Sequence, residues 1–448
     1  MGYAAPRLAR ALDARRLVLP ALGAILAGGA ALRVATAADP GRFLSADERA
    51  YSALGIGLAD HASYASPRLA DPFHWPPGTP VLLALARLIG GDATRDGNAL
   101  NLAPGYWAQA VVGIALIGAV YVLARAIAGS GAGLAAAAVV AFYPPLITVT
   151  GDLVSEPLGA LTLTLALLAL VRAQQAPTTF RLAGAGALLG VAVLVRADLL
   201  VIPFALAIGL TTWLWARRGA KTGLEAGAAF LYGALLLIVP WSVWASHAAG
   251  RLIPVTDGGS SALYVATYLP GGGTMSGLKR ELAAQTRRDH PRMRRLSASQ
   301  IPAELVLDTV ARREGGPSRA AALQRAAFKN LVRYGLGDPL DFSAMTGRKL
   351  WRMWGGYYRG TYHNTRSWLL ALHLLVVAVA LVGAVLGAIR ARSAPLAMIL
   401  GVIVLATLVN AFFVAEARHN LRLLPALIAG GASGYALLLS RSRSGAGA

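Results

Sequence analysis

The chain has no cysteine in 448 residues, which excludes thiolate catalysis, Cys-ligated zinc and disulfides. Charge is scarce as well: 14% of residues are charged, against about 25% in an ordinary soluble domain, while 56% are hydrophobic. Much of the chain must therefore be solvated by lipid. Acid is the scarcer charge, with 21 Asp and Glu against 42 Lys and Arg, a formal net charge of +21. In a soluble protein that excess would suggest nucleic acid. Here many of the arginines sit in short links between apolar runs, where they orient a membrane protein, and no basic soluble domain or nucleic-acid motif is present. His61, His290 and His363 show no metal-ligand spacing. Gly271-Gly272-Gly273 lacks the Lys-Ser/Thr of a phosphate loop, so no nucleotide is expected.

A membrane-crossing helix needs about 20 apolar residues. Ten runs meet or approach this: Leu17–Ala37, Pro104–Ala128, Gly131–Thr150, Leu153–Val171, Leu182–Val195, Leu199–Ala216, Ala226–Ser246, Trp368–Ile389, Pro395–Val414 and Leu421–Leu439. The expected fold is an all-α polytopic membrane protein of about ten transmembrane helices. It divides into an N-terminal transmembrane part (1–246) whose outer loop is 38–103, an extracytoplasmic module (247–366) and C-terminal helices (367–448). The run Pro80–Gly91 is too short to cross and reads as a re-entrant or surface helix, with Pro76 and Pro77 where a helix start tolerates proline. Arg15 and Arg16 before an apolar run, with Ala35-Thr36-Ala37 after it, resemble a signal peptide; Arg33 and the length of the run favour a retained first span.

Basic residues alternate along the links. Arg7, Arg10, Arg15 and Arg16, then Arg125, Arg172 and Arg181, Arg217, Arg218 and Lys221, Arg390 and Arg392, and Arg441 and Arg443 fall on one side, expected to be cytoplasmic with both termini. Asp152, Glu156, Asp198 and Glu416 fall on the other. The module should open with loop at Gly258-Gly259-Ser260-Ser261 and Gly271-Gly272-Gly273 and continue as short helices from Leu278 to Trp354. Its last part, Lys349–Trp354, suits an interfacial helix. Small-xxx-small patterns at Gly184–Leu188 and Gly186–Gly190 read as helix packing.

The adjacent acids Asp47 and Glu48, by themselves, suggest only a solvated helix start, with Ser45 capping a helix over Arg49–Leu58. Several motifs add to this. Asp47-Glu48-x-x-Tyr51, His74-Trp75-Pro76-Pro77, Ser155-Glu156-Pro157-Leu158, Leu194-Val195-Arg196-Ala197-Asp198, Pro240-Trp241 with Gly250–Thr256 and Gly259–Tyr264, and Glu416–Pro425 occur in this order. Together they resemble the GT-C membrane glycosyltransferases, in the branch of protein O-mannosyltransferase-like and lipid A aminoarabinose transferase-like enzymes. Ala197 stands where that pattern has proline, and His419 where it has tyrosine.

The resemblance implies inverting transfer of a sugar from a polyprenyl-phosphate donor to an extracytoplasmic protein, lipid or glycan, on the outer face of the cell membrane. Such a reaction needs a general base for the acceptor hydroxyl. Asp47 is the candidate, with Glu48 to hold a metal, orient the acceptor or support Asp47, the order of the pair being reversible. It also needs cations for the leaving phosphate, which bidentate arginine meets well. Arg196, Arg418 and Arg422 are the candidates, with Glu416 as a partner. Arg196 also reads as a snorkelling side chain paired to Asp198. Tyr51, His74 and Tyr264 come into the expected substrate site through their motifs. Asp152 and Glu156, four apart, would share a helix face if the span begins early, and would meet sugar hydroxyls or a cation. The cofactor remains open: a divalent cation at Asp47, Glu48 or Asp152, and no nucleotide. Rival readings are a transporter or lipid flippase, a surface-glycan polymerase or ligase, and a non-catalytic scaffold. Charges at span ends weigh against the transporter.

Overall fold

The computed structural model describes residues 5–38, 44–67, 69, 71–90, 102–358 and 367–445. His363, Arg366 at the expected end of the module, and parts of the expected outer loop (39–43 and 91–101) lie outside the described residues. Those that are described form helices, turns and links, with no strand among them. α1 (Ala5–Ala37) leads to two shorter helices, α2 (Ala46–His61) and α3 (Gly78–Gly90). Then come α4 (Ala103–Ala128), α5 (Ser130–Phe142), the short α6 (Pro144–Thr148), α7 (Glu156–Gln175), α8 (Thr179–Val195), α9 (Val201–Arg218) and α10 (Ala220–Ala249). The module contains α11 (Gly258–Thr267), α12 (Met275–Asp289), α13 (Ala303–Glu314), α14 (Arg319–Asn330) and α15 (Pro339–Gly355); α16 (Ser367–Arg390), α17 (Ala394–Phe412) and α18 (Leu424–Gly445) return to the bundle.

Each expected apolar run is largely helical, the run Gly131–Thr150 being split between α5 and α6, and the chain is a multi-pass membrane protein. Among the described residues, seven helices are long and apolar enough to cross a bilayer, or up to eight if the bent pair α5–α6 is one crossing. The count of ten expected from sequence would need α8, which has 17 residues, and α18 as well. The basic links do gather at one end: Arg441 donates to the Arg390 and Ala391 carbonyls at 2.7 and 2.9 Å, and Gln175 to the Ala126 carbonyl at 3.0 Å. The acidic links meet at the other, called here the module end. Helix α3 is the short helix expected after Pro76 and Pro77.

The bend between α5 and α6 is 65°. Pro144 and Pro145 start the new helix where their missing N–H groups are not needed, and the break leaves the last α5 carbonyls without intrahelical donors. The fully buried Arg33 of α1 meets them, donating to the Val140 and Ala141 carbonyls at 3.0 Å each. A cation at a helix C-terminus is also favoured by the helix dipole. Beyond the bend, residues 149–155 run buried across the module end. Tyr143 at the break is 2.5 Å from His373 Nδ1, and His373 Nε2 is 2.8 Å from the Trp354 carbonyl. If Tyr143 donates, the histidine is the neutral tautomer that donates to Trp354.

α8 and α10 touch backbone to backbone: a Cβ on Gly186 would lie 1.9 Å from the Phe230 carbonyl oxygen. The Gly186–Gly190 pattern is thus a packing face. Gly184 meets nothing within 4 Å, so the Gly184–Leu188 pattern is not. The module has its own core around Leu278, Ile301, Val306 and Leu323. Its short helices are those expected, but Gly258–Ser261 is the first turn of α11 rather than loop. Glycine is required there for close approach, because a Cβ on Gly258 would lie 2.4 Å from the His74 carbonyl oxygen. Gly271–Gly273 is a turn, with Gly272 and Gly273 at φ of 60° and 64°. α15 joins the module to α17. Buried Lys349 donates to the Ala266 and Ala411 carbonyls at 3.1 and 2.7 Å, and the Trp354 indole to Thr407 at 3.2 Å.

Candidate active site

Helix α2 sets the first part of the site. Ser45 and Glu48 form a reciprocal capping box, the Glu48 Oε2 accepting the Ser45 N–H at 2.9 Å. The helix therefore starts three residues before Arg49 and runs to His61, longer than expected. The other Glu48 oxygen, Oε1, accepts the Leu153 N–H at 3.1 Å across the chain. Both oxygens of this buried carboxylate are committed to backbone amides, tying α2 to the segment beyond the bend. Asp47, one residue earlier on α2, is left to face the site.

Asp47 is ion-paired with Arg418 and hydrogen-bonded by the Trp75 side chain. Burial pushes its carboxyl up, but the Arg418 guanidinium, with help from His74 and Trp75, holds it below the usual carboxylate range. Arg418 continues to Glu416 at 3.4 Å and Glu156 at 3.9 Å. Glu156 lies 3.0 Å from Arg196, which also bonds Ser155 at 2.9 Å and lies 3.4 Å from Asp198. Asp198 in turn pairs with the wholly buried Arg422. Four separate stretches of chain thus contribute alternating charges to one continuous run: the start of α2, the start of α7, the α8–α9 turn, and the 3-10 turn Ala417–Asn420 with its flank.

Not every expected residue joins that run. Tyr51 does lie against it: its hydroxyl is hydrogen-bonded to Ser155, and burial, then Asp47, pushes it well above the ordinary phenol range. His74 lies beside Asp47, with its ring 4.6 Å from that of Trp75; burial pulls it below the ordinary histidine value. Asp152 and Glu156 do not share a helix face, because α7 begins at Glu156 and Asp152 is extended, at φ −116° and ψ 142°. Asp152 instead accepts the Tyr358 hydroxyl at 2.9 Å. Tyr264 is a module-core residue stacked on Tyr268, at 5.8 Å between ring centres. His419, in the tyrosine position of the motif, accepts the Glu416 N–H at 3.4 Å and closes a second capping box. Asp198 is the residue sequence reasoning undervalued. It was legible only as a partner of Arg196, and its contact with Arg422 brings together segments more than 200 residues apart.

The run holds three arginines, and Glu156 Oε2, Arg422 Nε and Arg422 Nη1 are buried without a hydrogen-bond partner. Unsatisfied buried polar atoms of this kind are costly and call for an explanation. Burial lowers Arg422 from the ordinary guanidinium value, yet it stays a cation. Among the described residues, no three His, Asp or Glu side chains gather as a metal ligand set. Glu48 is committed to amides, Asp47 to Arg418 and Asp152 to Tyr358, so the three expected metal positions do not fit that role as arranged. What the geometry offers is a run in which carboxylates and guanidiniums alternate, from Asp47 at one end to Arg422 at the other, at the module end of a membrane bundle.

The family described as dolichyl-phosphate-mannose-protein mannosyltransferase matches residues 75–244. A sequence search of curated proteins gives no match. Among solved structures, the archaeal oligosaccharyltransferase AglB from Archaeoglobus fulgidus, in complex with an inhibitory peptide and a dolichol-phosphate, superposes with a TM-score of 0.57 at 15% identity over 96% of this chain and 52% of its own. The same organism's enzyme tethered to an acceptor peptide containing the NVT sequon gives 0.53 at 14%, over 93% and 49%. ArnT from Cupriavidus metallidurans bound to undecaprenyl phosphate gives 0.42 at 13%, over 97% and 79%. The chain spans about half the length of the archaeal enzyme. Its fold is that of the archaeal enzyme over the part that superposes.

Proposed function

We propose that the protein transfers a sugar from a polyprenyl-phosphate carrier to an acceptor outside the cytoplasm. The observation that carries this reading is the contact of Asp47 with Arg418, within one run of charges that includes Arg196 and Arg422. An archaeal enzyme of the same fold, solved in complex with a dolichol-phosphate, supports the lipid donor, and its structure tethered to an acceptor peptide supports a separate acceptor. The basic links at the opposite end support a cytoplasmic location for that end and for both termini, leaving the module end outside.

In this reaction the acceptor oxygen attacks the anomeric carbon as the bond from that carbon to the phosphate oxygen breaks. The electron pair leaves on the polyprenyl phosphate, and the acceptor proton passes to Asp47. A single displacement inverts the anomeric centre. Arg418, Arg196 and Arg422 stabilise the charge on the departing phosphate, as fixed cations in a water-poor site do. The incoming phosphate competes with Asp47 for Arg418, so donor binding also frees the base. Glu48 holds α2 in place and acts through Asp47. Tyr51 and His74 line the acceptor side. The sugar, hexose or pentose, is set by contacts beyond this run of charges.

The test is transfer from radiolabelled polyprenyl-phosphate monosaccharides by the purified protein, with membrane extract as acceptor, compared with Asp47→Asn. Transfer by the wild type that the variant loses, with donor binding retained, is the expected result. Undiminished transfer by the variant removes Asp47 as base. Absence of transfer across a broad donor panel removes the transferase reading and leaves the transporter or scaffold.

A further inference from the structure

The module's exposed large apolar side chains are concentrated in one place. Among the described residues, apart from Leu252, they are Phe328 on α14, Val332 and Leu336 on the π-helical turn Leu331–Leu336, and Leu340 and Trp351 on α15. Their exposures are 54%, 63%, 78%, 83% and 67%. Phe328, Val332 and Leu336 follow one another at four-residue spacing. An α-helix would carry that spacing steadily round its axis; the wider i→i+5 turn brings Leu336 back toward the line of the first two. The opposite face of α14, with Ala322, Leu323, Ala326 and Ala327, is buried in the module. α15 is divided in the same way, with Met345, Lys349 and Met353 buried at four-residue spacing and Leu340 and Trp351 outward.

We propose that this elbow, α14 to α15, lies in the headgroup layer of the leaflet at the module end, with its apolar side chains inserted among the lipids. Two observations select lipid as the occupant. The first is continuity with the membrane-crossing bundle. Lys349 caps the carbonyls of Ala411 and Phe413 at the end of α17, and Trp354 reaches Thr407 more than a helical turn back along it, so α15 rests on the end of a membrane-crossing helix. That helix presents lipid-facing side chains of its own, Leu408 and Phe412, 53% and 60% exposed. The second is charge. Arg325, Lys329, Arg333 and Arg348 are exposed along the same elbow, against Asp338 and Asp341, with Lys329 paired to Glu314 of α13. Apolar side chains interleaved with Lys and Arg are the pattern of a helix lying in an anionic interface. Such a seat fixes the module's height above the bilayer, and with it the height of Asp47 and Arg418 relative to the lipid headgroups.

The absence of native cysteine makes the test direct. Single variants Phe328→Cys, Val332→Cys, Leu336→Cys, Leu340→Cys and Trp351→Cys are spin-labelled in nanodiscs containing phosphatidylglycerol. Collision with oxygen and with a water-soluble nickel chelate is then measured for each. Leu408→Cys on α17 serves as the lipid reference and Arg295→Cys, exposed elsewhere on the module, as the water reference. The expected result is an oxygen-to-nickel ratio several-fold above that of Arg295→Cys, approaching Leu408→Cys, at most of the five positions. Nickel accessibility equal to that of Arg295→Cys overturns the proposal. So does shielding from both reagents, which would mean that protein covers the face. The readout is independent of transferase activity, so the proposal and the functional reading fail separately.

Discussion

Two arginines at the module end each sit between carboxylates, but in different surroundings. Arg418 links Asp47, Glu416 and Glu156, and through Glu156 the charges continue to Arg196, Asp198 and the wholly buried Arg422. Arg251 joins Asp71 at 2.5 Å and also Asp257; Arg251 and Asp71 are 30% and 31% exposed. That trio sits where the chain enters α11 and is accompanied by backbone contacts: the Asp257 N–H donates to the Phe73 carbonyl at 3.1 Å and Thr256 to the His74 carbonyl at 2.5 Å. His74 stands between the clusters and feels both Asp257 and Asp47. The same residue types therefore serve two ends. In the trio they fix the path of a loop, whereas the run, no less exposed at Arg418 and Asp47 (32% and 31%), extends inward to the wholly buried Arg422, where polar atoms are left unpartnered.

The contrast is broken most directly by exchanging the acids. Asp47→Asn should lower the rate of transfer by about 10²–10⁴-fold, the usual contribution of a general base. Asp257→Asn should leave the rate within about tenfold of wild type, because its side chain pairs with Arg251 and reaches Asp47 only through its charge on His74. Equal losses measured in single-turnover transfer would mean that the two clusters form one site.

Stability offers the next largest difference. Arg196→Ala removes the common partner of Glu156 and Asp198, leaving the buried Glu156 with only Arg418 at 3.9 Å and Asp198 with Arg422, which should cost up to about 3–5 kcal/mol. Glu156→Gln in the same background should recover part of that loss by removing one stranded charge. Thermal unfolding in detergent reads both, and additive losses would show that the run is not electrostatically continuous.

A pH profile separates the clusters by sign. The Asp47 pKa is held below the ordinary value, so the stability of its pair is present above the unfolded carboxylate pKa and is lost as pH falls through the folded one. The acid limb of kcat/KM should therefore lie below the ordinary aspartate value of about 3.9. Arg418→Gln removes the main cause of that depression and should move the limb upward, by about 1 unit or more if an adjacent guanidinium has its usual influence. An unmoved limb would assign it to another group.

Much of this was legible in the sequence because the signals are local. Apolar runs gave the helices, the alternating arginines gave the two ends, and the motifs picked out Asp47, Glu156, Arg196, Arg418 and Arg422, which the fold brings together. What was not legible depends on contacts between distant segments. The commitment of Glu48 to the Leu153 amide depends on the 65° bend, and the last turn of α5 before it is capped by Arg33, a residue more than 100 positions away. Gly258–Ser261 reads as loop by composition but is the first turn of α11, where Gly258 lies too close to His74 for a side chain. Tyr264 shares a motif with site residues but turns into the module core, a choice made by Tyr268 and the packing around it.

The smallest expected effect belongs to the Arg251 cluster. Burial, then the neighbouring Asp257, pushes Asp71 above the ordinary carboxylate value despite Arg251. A folded-state pKa raised above the unfolded one stabilises fully below the unfolded pKa, and that contribution is lost as pH rises through the folded one, the reverse of Asp47. Arg251→Gln removes the cation that restrains this shift, so Asp71 should rise further and the decline in stability with pH should steepen on the alkaline side of the ordinary carboxylate range. With both partners partly exposed, the loss at neutral pH should be only about 0–1 kcal/mol, and smaller still in high salt. Unfolding curves of wild type and Arg251→Gln across pH 4 to 7 check the slope. A loss as large as that of Arg196→Ala, or one that grows on acidification, would place Arg251 in the same class as Arg418 and remove the distinction between the clusters.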